Sequence, residues 1–174
     1  MGSDRTRAAV AKLAAMVAAP LMLGSTGLAT NFDERILAAH NRERALLGVP
    51  PLRWSDWLTA SARVQADYLA RTGRFEHAAQ TSGVAEGENL WAGTRDAYSA
   101  EAMVDGWASE RRAYRPGPFP ANSVTGRAAD VGHYTQLMWR HTQEVGCART
   151  AGIDEDFLVC RYSQAGNVMG ERPF

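Results

Sequence analysis

Between Ser55 and Gly73 the chain carries a helix start, a helix stop and a stripe of small and medium residues, Leu58, Ala62, Ala66 and Leu69, at helical spacing. Ser55 reads as an N-cap because its hydroxyl can accept from a free N–H of the first turn. Asp56 suits the positive end of the helix dipole. The helix is predicted to run to about Thr72, where Gly73 ends it. So narrow a stripe lets another layer approach closely.

Two strand-like segments lie toward the end of the chain. Glu144–Thr150 and Phe157–Tyr162 flank a polar turn over 151–156 and read as an antiparallel hairpin. Cys147 and Cys160 fall on these neighbouring strands and invite a disulfide in an oxidising compartment; two buried free thiols are the other reading. A first helix is predicted from Asn31 to a stop at Gly48 and Pro50-Pro51, with Phe32, Ile36, Leu37, Asn41 and Leu46 near one face. A third runs from about Ala97 to Tyr114, where Glu110 follows Trp107 by three, and a short fourth covers His133 to Trp139. Residues 73–95 read as irregular but chemically dense, and 115–131 as a functional or mobile loop. Trp54, Trp57, Trp91, Trp107 and Trp139 are assigned to the core.

At 174 residues, 45% hydrophobic and 22% charged, the chain suits one globular domain. Lys plus Arg and Asp plus Glu balance at 19 each, so the basic excess that phosphate neutralisation requires is missing and nucleic acid is not expected as a partner. Arg5, Arg7 and Lys12 precede an apolar stretch from Leu13 to Leu23, followed by the small residues Gly27 and Ala29. That pattern predicts a signal peptide over 1–29, cleaved after Ala29, with a single domain over 30–174. The stretch is too short to span a bilayer and contains Pro20, so no stable membrane anchor is expected after cleavage. Cleavage leaves 16 basic and 18 acidic residues in a secreted or periplasmic, monomeric protein.

Four polar residues stand in apolar or glycine-bearing company: His77 in Phe75-Glu76-His77, Glu88 in Gly87-Glu88-Asn89-Leu90-Trp91, Glu110 after Trp107, and His133 in Gly132-His133-Tyr134-Thr135-Gln136. With His40-Asn41, Arg44, Gly48 to Trp54, Leu137-Met138-Trp139, Phe157 to Tyr162 and Gly166-Asn167-Val168, these motifs resemble, in order, those of the CAP superfamily. This superfamily comprises the cysteine-rich secretory, antigen 5 and pathogenesis-related 1 proteins, also called SCP domains. The resemblance covers nearly all of residues 32–170 and implies an α+β fold, a three-layer α-β-α sandwich around a central antiparallel sheet.

By the same resemblance His77, Glu88, Glu110 and His133 form a cavity tetrad. The two histidines are the candidate ligands of zinc or another divalent cation, and the glutamates orient them. Two nitrogens are fewer than the three ligands of a usual catalytic zinc, and His–Glu pairs can also line a cleft with no metal. The chain departs from the family pattern at Gln164, which is expected to loosen the turn before Gly166. A further departure is the presence of only two cysteines, and no cysteine-rich module is expected after Phe174.

Three functions follow. The resemblance implies a non-catalytic extracellular binding module for a small apolar ligand, since some members bind sterols, fatty acids or phospholipids. The residue types also suit a metal-dependent hydrolase or peptidase with Glu88 or Glu110 as general base. The third is a defence protein whose loops bind a protein partner, with Arg111, Arg112 and Arg115 as a contact patch or merely a solvated helix end.

Overall fold

A computed structural model describes residues 32–79 and 85–174; the leader expected over 1–29 lies outside the described residues. In chain order the elements are α1 (Phe32–Leu46), β1 (Arg53–Trp54), α2 (Asp56–Thr72), β2 (Gly87–Thr94), α3 (Ala100–Ala108), α4 (Gly132–Leu137), β3 (Glu144–Ala151) and β4 (Glu155–Ser163). The strands are ordered β1-β3-β4-β2; β4 pairs antiparallel with both β3 and β2, while the two-residue β1 joins β3 in parallel. Helix α2 covers one face and α1, α3 and α4 lie across the other, giving the three-layer α-β-α sandwich.

Strand alternation divides the core. On β4, Phe157 and Val159 pack with Leu90 and Ala148 against Ala62, Ala66 and Leu69 of α2. The intervening Leu158, Cys160 and Tyr162 pack with Val145 and Cys147 against Ile36, Met103, Trp107 and Leu137. Successive side chains of a strand point to opposite faces, so a run apolar at every position is what a strand covered on both sides requires. The cysteines are directly opposed partners in the β3–β4 ladder and form a buried disulfide with Cα atoms 4.1 Å apart.

Helix α2 has the expected limits. Ser55 Oγ accepts from Leu58 N at 3.4 Å, and Gly73, at φ 66°, donates its N–H to Leu69 O at 2.8 Å. The close approach predicted from its small stripe is real. A Cβ on Gly146 of β3 would lie 2.3 Å from Thr59 N and 2.4 Å from Ser55 O, so only glycine fits beneath the first turn of α2.

Other expectations are corrected. The buried face of α1 is Ile36, Ala39, His40, Glu43 and Arg44, while Leu46 is 67% exposed. Polar residues win that face because they have work inside: Arg44 is fully buried and donates to the carbonyls of Pro50, Leu137, Trp139 and Thr142 at 2.7–3.1 Å. The segment expected to be irregular contains β2, an eight-residue edge strand fully paired to β4. The third helix starts later, at the Ser99 cap, and tightens into a 3-10 turn over Ser109–Ala113 that carries Glu110. Trp57 is 67% exposed rather than core. The turn before Gly166 is tied, not loose: Gln164 O accepts from Thr142 Oγ1 at 2.7 Å and Gly166 N donates to Gln136 Oε1 at 2.8 Å.

Candidate functional site

His77, Glu88 and His133 line one cleft of about 180 Å³ at the β2 edge of the sheet, together with Asn89, Ala129, Gly132 and Asn167. Glu110 stands immediately behind His133. A second cavity of about 310 Å³ adjoins it, sharing His77, Glu88 and Asn167 and adding Glu86, Gln136 and Gly166. All four residues singled out in the sequence therefore meet at one place, although they come from a loop, an edge strand, a 3-10 turn and a short helix.

The two histidine arms are built differently. His133 Nδ1 donates to Glu110 Oε1 at 2.6 Å, while Glu110 Oε2 accepts the backbone N–H groups of His133 and Tyr134 at 2.9 and 3.1 Å. Val131, at the N-cap position of α4, offers no side-chain acceptor. Glu110 supplies it from another element, placing a carboxylate at the positive end of the helix. The His133 ring lies nearly parallel to Trp107, at 19° with centroids 6.2 Å apart. Trp107 is itself fixed by its indole N–H, which donates to Leu90 O at 2.9 Å.

On the other arm, His77 Nδ1 donates to Glu88 Oε1 at 2.6 Å, and Ala78 N donates to the same oxygen at 3.1 Å. The His77 side chain is 62% exposed and that of Glu88 only 5%. The hydrogen bond to Glu88 raises the His77 pKa above the ordinary histidine value, with burial acting against it. Protons and a metal would therefore compete for this ring.

A buried thread beneath the cleft joins it to α1. Ile36 O can only accept, so His40 Nδ1 carries the proton of their 2.8 Å bond, and Nε2 accepts from the Tyr162 hydroxyl at 2.9 Å. Asn89 Nδ2 donates to that hydroxyl oxygen at 3.2 Å and to His133 O at 3.1 Å. Asn167 Nδ2 adds a bond to Gly132 O at 2.9 Å. The backbone that presents His133 is thus held from three sides.

Arg161, Glu86, Asn89 and Asn167 were not assigned a role from sequence. Asn89 and Asn167 had a usable signal, since each stands within a motif beside glycine or a tetrad member. Arg161 lies within the Phe157–Tyr162 motif, but nothing in that motif points to Glu88, because its neighbours read as strand.

Among the described residues there is no group of three or more His, Cys, Asp or Glu side chains arranged to hold a metal. The donor set is two imidazoles, each with Nδ1 engaged by a carboxylate, which leaves Nε2 as the ring nitrogen available to a cation. That set fits a weak, open site of the kind in which carboxylates orient the ligating rings.

A disulfide-bridged α-β-α sandwich with a two-histidine, two-glutamate cleft is the class of protein that fold and site define. Residues 37–162 match the cysteine-rich secretory protein family, also called CAP, and the chain belongs to that family. It is 34% identical over 155 residues to pathogenesis-related protein 1C of Nicotiana tabacum, covering 88% of each chain. It is also 34% identical over 139 residues to pathogenesis-related protein 1 of Arabidopsis thaliana, covering 79% of this chain and 80% of that one. Among solved structures, NaASP2 with Zn2+ shares the fold at TM-score 0.72 and 20% identity, over 86% of this chain and 88% of that one. Venom allergen-like protein 4 of Schistosoma mansoni does so at 0.64 and 20%, over 83% and 94%.

Proposed function

We propose that this chain is a secreted, monomeric binding module whose cleft holds a divalent cation, zinc foremost, through His77 and His133. The observation that carries the reading is the pair of 2.6 Å Nδ1–carboxylate bonds on two rings that line one cleft. A carboxylate on Nδ1 selects the tautomer with a free lone pair on Nε2 and makes that nitrogen a better donor. A bound cation would supply open coordination positions to an oxygen or nitrogen donor of a partner. Relatives named pathogenesis-related and a relative in fold solved with Zn2+ support this reading, as do the leader-like residues 1–29 and the disulfide.

The lining of Asn89, Asn167, Glu88 and the two histidines favours a polar group of an extracellular protein over a small apolar molecule. A hydrolase would need Glu88 or Glu110 as general base. Glu110 already has both oxygens on N–H donors, and Glu88 has one on His77 and the other against Arg161. These carboxylates are placed to orient rings, so binding is preferred to turnover.

The test is a thermal melt and zinc titration of the mature protein beside H77A/H133A. Zinc is expected to raise the melting temperature of the natural chain, reversibly with chelator, and to leave the double variant unmoved. Equal shifts in both proteins would reject these ligands.

A further inference from the structure

Behind His77 runs a chain of contacts that the tetrad does not include. Arg161 of β4 stands directly opposite Glu88 of β2 in the ladder, with Gly146 of β3 opposite it on the other side. Its Nη2 lies 2.8 Å from Glu88 Oε2 and its Nη1 3.4 Å from Glu86 Oε2. Glu86 Oε2 in turn accepts from Ser61 Oγ of α2 at 2.8 Å. Glu88 Oε2 is buried and has no hydrogen-bond partner, so the Arg161 charge beside it, off the hydrogen-bond axis, is its compensation.

Burying a carboxylate oxygen without a hydrogen-bond donor is costly, and removing the opposite charge that Arg161 places beside it leaves that cost whole. Glu88 would then turn its carboxylate toward solvent, away from Ala78 N–H as well as His77, whose exposed ring has no other side-chain partner among the described residues. The His133 arm carries no such risk, because Glu110 is gripped by two backbone N–H groups.

Resting on the metal reading above, we propose that Arg161 is the positioning residue of the His77 arm. It fixes Glu88 Oε2 so that Oε1 stays on His77 Nδ1 and Nε2 is offered to the cation. The two arms of the site are therefore held by unlike means: a side-chain cation on Oε2 and one loop amide, Ala78 N–H, on Oε1 in one, and two helix amides on a single carboxylate oxygen in the other.

The experiment compares the natural chain with R161Q, R161K and R161N by two readouts. The first is metal-free 15N NMR of the histidine side chains above the histidine titration range. The natural chain is expected to show His77 with its proton on Nδ1; R161Q is expected to show both tautomers, because an unheld imidazole places its proton on either nitrogen. His133 signals stay put and report an intact fold. R161N, with a shorter neutral amide, carries the same expectation should R161Q fail to fold. R161K keeps a cation within reach of Oε2 and is expected to retain the natural tautomer.

The second readout is zinc affinity, expected to fall about tenfold in R161Q, the effect typical of losing a partner that orients a ligand. A bystander cation predicts the opposite sign, since removing positive charge from beside the site would tighten zinc. An unchanged His77 tautomer in R161Q, a loss that R161K fails to rescue, or tighter zinc binding each overturns the assignment. Absence of zinc binding in the natural chain would reject the metal reading alone, because the metal-free tautomer still decides the role of Arg161.

Discussion

Glu110 and His133 are joined twice: one carboxylate oxygen holds the imidazole Nδ1 at 2.6 Å, and the other caps the helix that carries it, through His133 N at 2.9 Å. Ring orientation and helix start are consequently one feature.

Replacing Glu110 by Ala removes both functions and is expected to cost roughly 2 kcal/mol, a cap plus a hydrogen bond. E110Q keeps one acceptor oxygen, enough for the ring or the helix but not both, and is expected to cost about half as much. Urea denaturation measures each. A loss from E110A no larger than an ordinary surface change would remove the capping role.

Arg44 is the second test. Burial draws its pKa down to about 10, so it remains charged at neutral pH among four carbonyls. R44M fills similar volume but orphans those acceptors, at an expected cost of roughly 3–5 kcal/mol. R44K can satisfy some of them and should fall between. If R44M melts with the natural chain, the carbonyls are being satisfied in some other way.

His40 sets a pH dependence. It is completely buried, and desolvation lowers its pKa from 6.5 to about 4. Between those values the unfolded chain binds a proton that the folded chain refuses, so stability must fall as pH drops from 6.5 toward 4. The full difference is about 3 kcal/mol at 1.36 per unit. His77, with a raised pKa, acts with the opposite sign: its contribution is present at low pH and lost as pH rises through the folded value. Because that ring is largely exposed, its effect is small. Denaturation midpoints for the natural chain and H40Q across this window provide the check; an equal slope in both would place the acid sensitivity elsewhere.

Gly146 is predicted to resist substitution more than Gly48. A methyl at 146 meets backbone of α2 at 2.3–2.4 Å and must push helix from sheet, at about 2 kcal/mol or more. At 48 the space is open and only the positive φ of 63° is strained, at about 1 kcal/mol. Melting temperatures of G146A and G48A give the ranking, and the reverse order would refute the close-contact account.

Much was legible without coordinates where local chemistry and packing agree. Helix α2 carries its own cap, stop and apolar stripe, and the hairpin carries its own turn and two buried faces. The tetrad residues stood out through their motif company, though nothing in their spacing brings 77, 88, 110 and 133 together. β2 is hidden from a sequence reading because Gly87-Glu88-Asn89 resembles loop. Its polar residues are buried for specific partners, and a Cβ on Gly87 would meet Gln136 Oε1 at 2.1 Å. The inner face of α1 departs from its apolar pattern for a related reason: hydrophobicity predicts burial only until a polar side chain has buried acceptors to satisfy.

The sequence by itself determined helix α2 and the β3–β4 hairpin, because periodicity, caps and turn chemistry act over a few residues; the three layers and the four cleft residues were legible only through the resemblance of their motifs to the CAP superfamily. Only the tertiary structure decided how each histidine is held. That depends on which strands lie opposite one another and which helix starts beside Glu110. Arg161 reaches Glu88 across 73 positions of chain because β4 pairs with β2 in that register, and no local pattern encodes such a pairing.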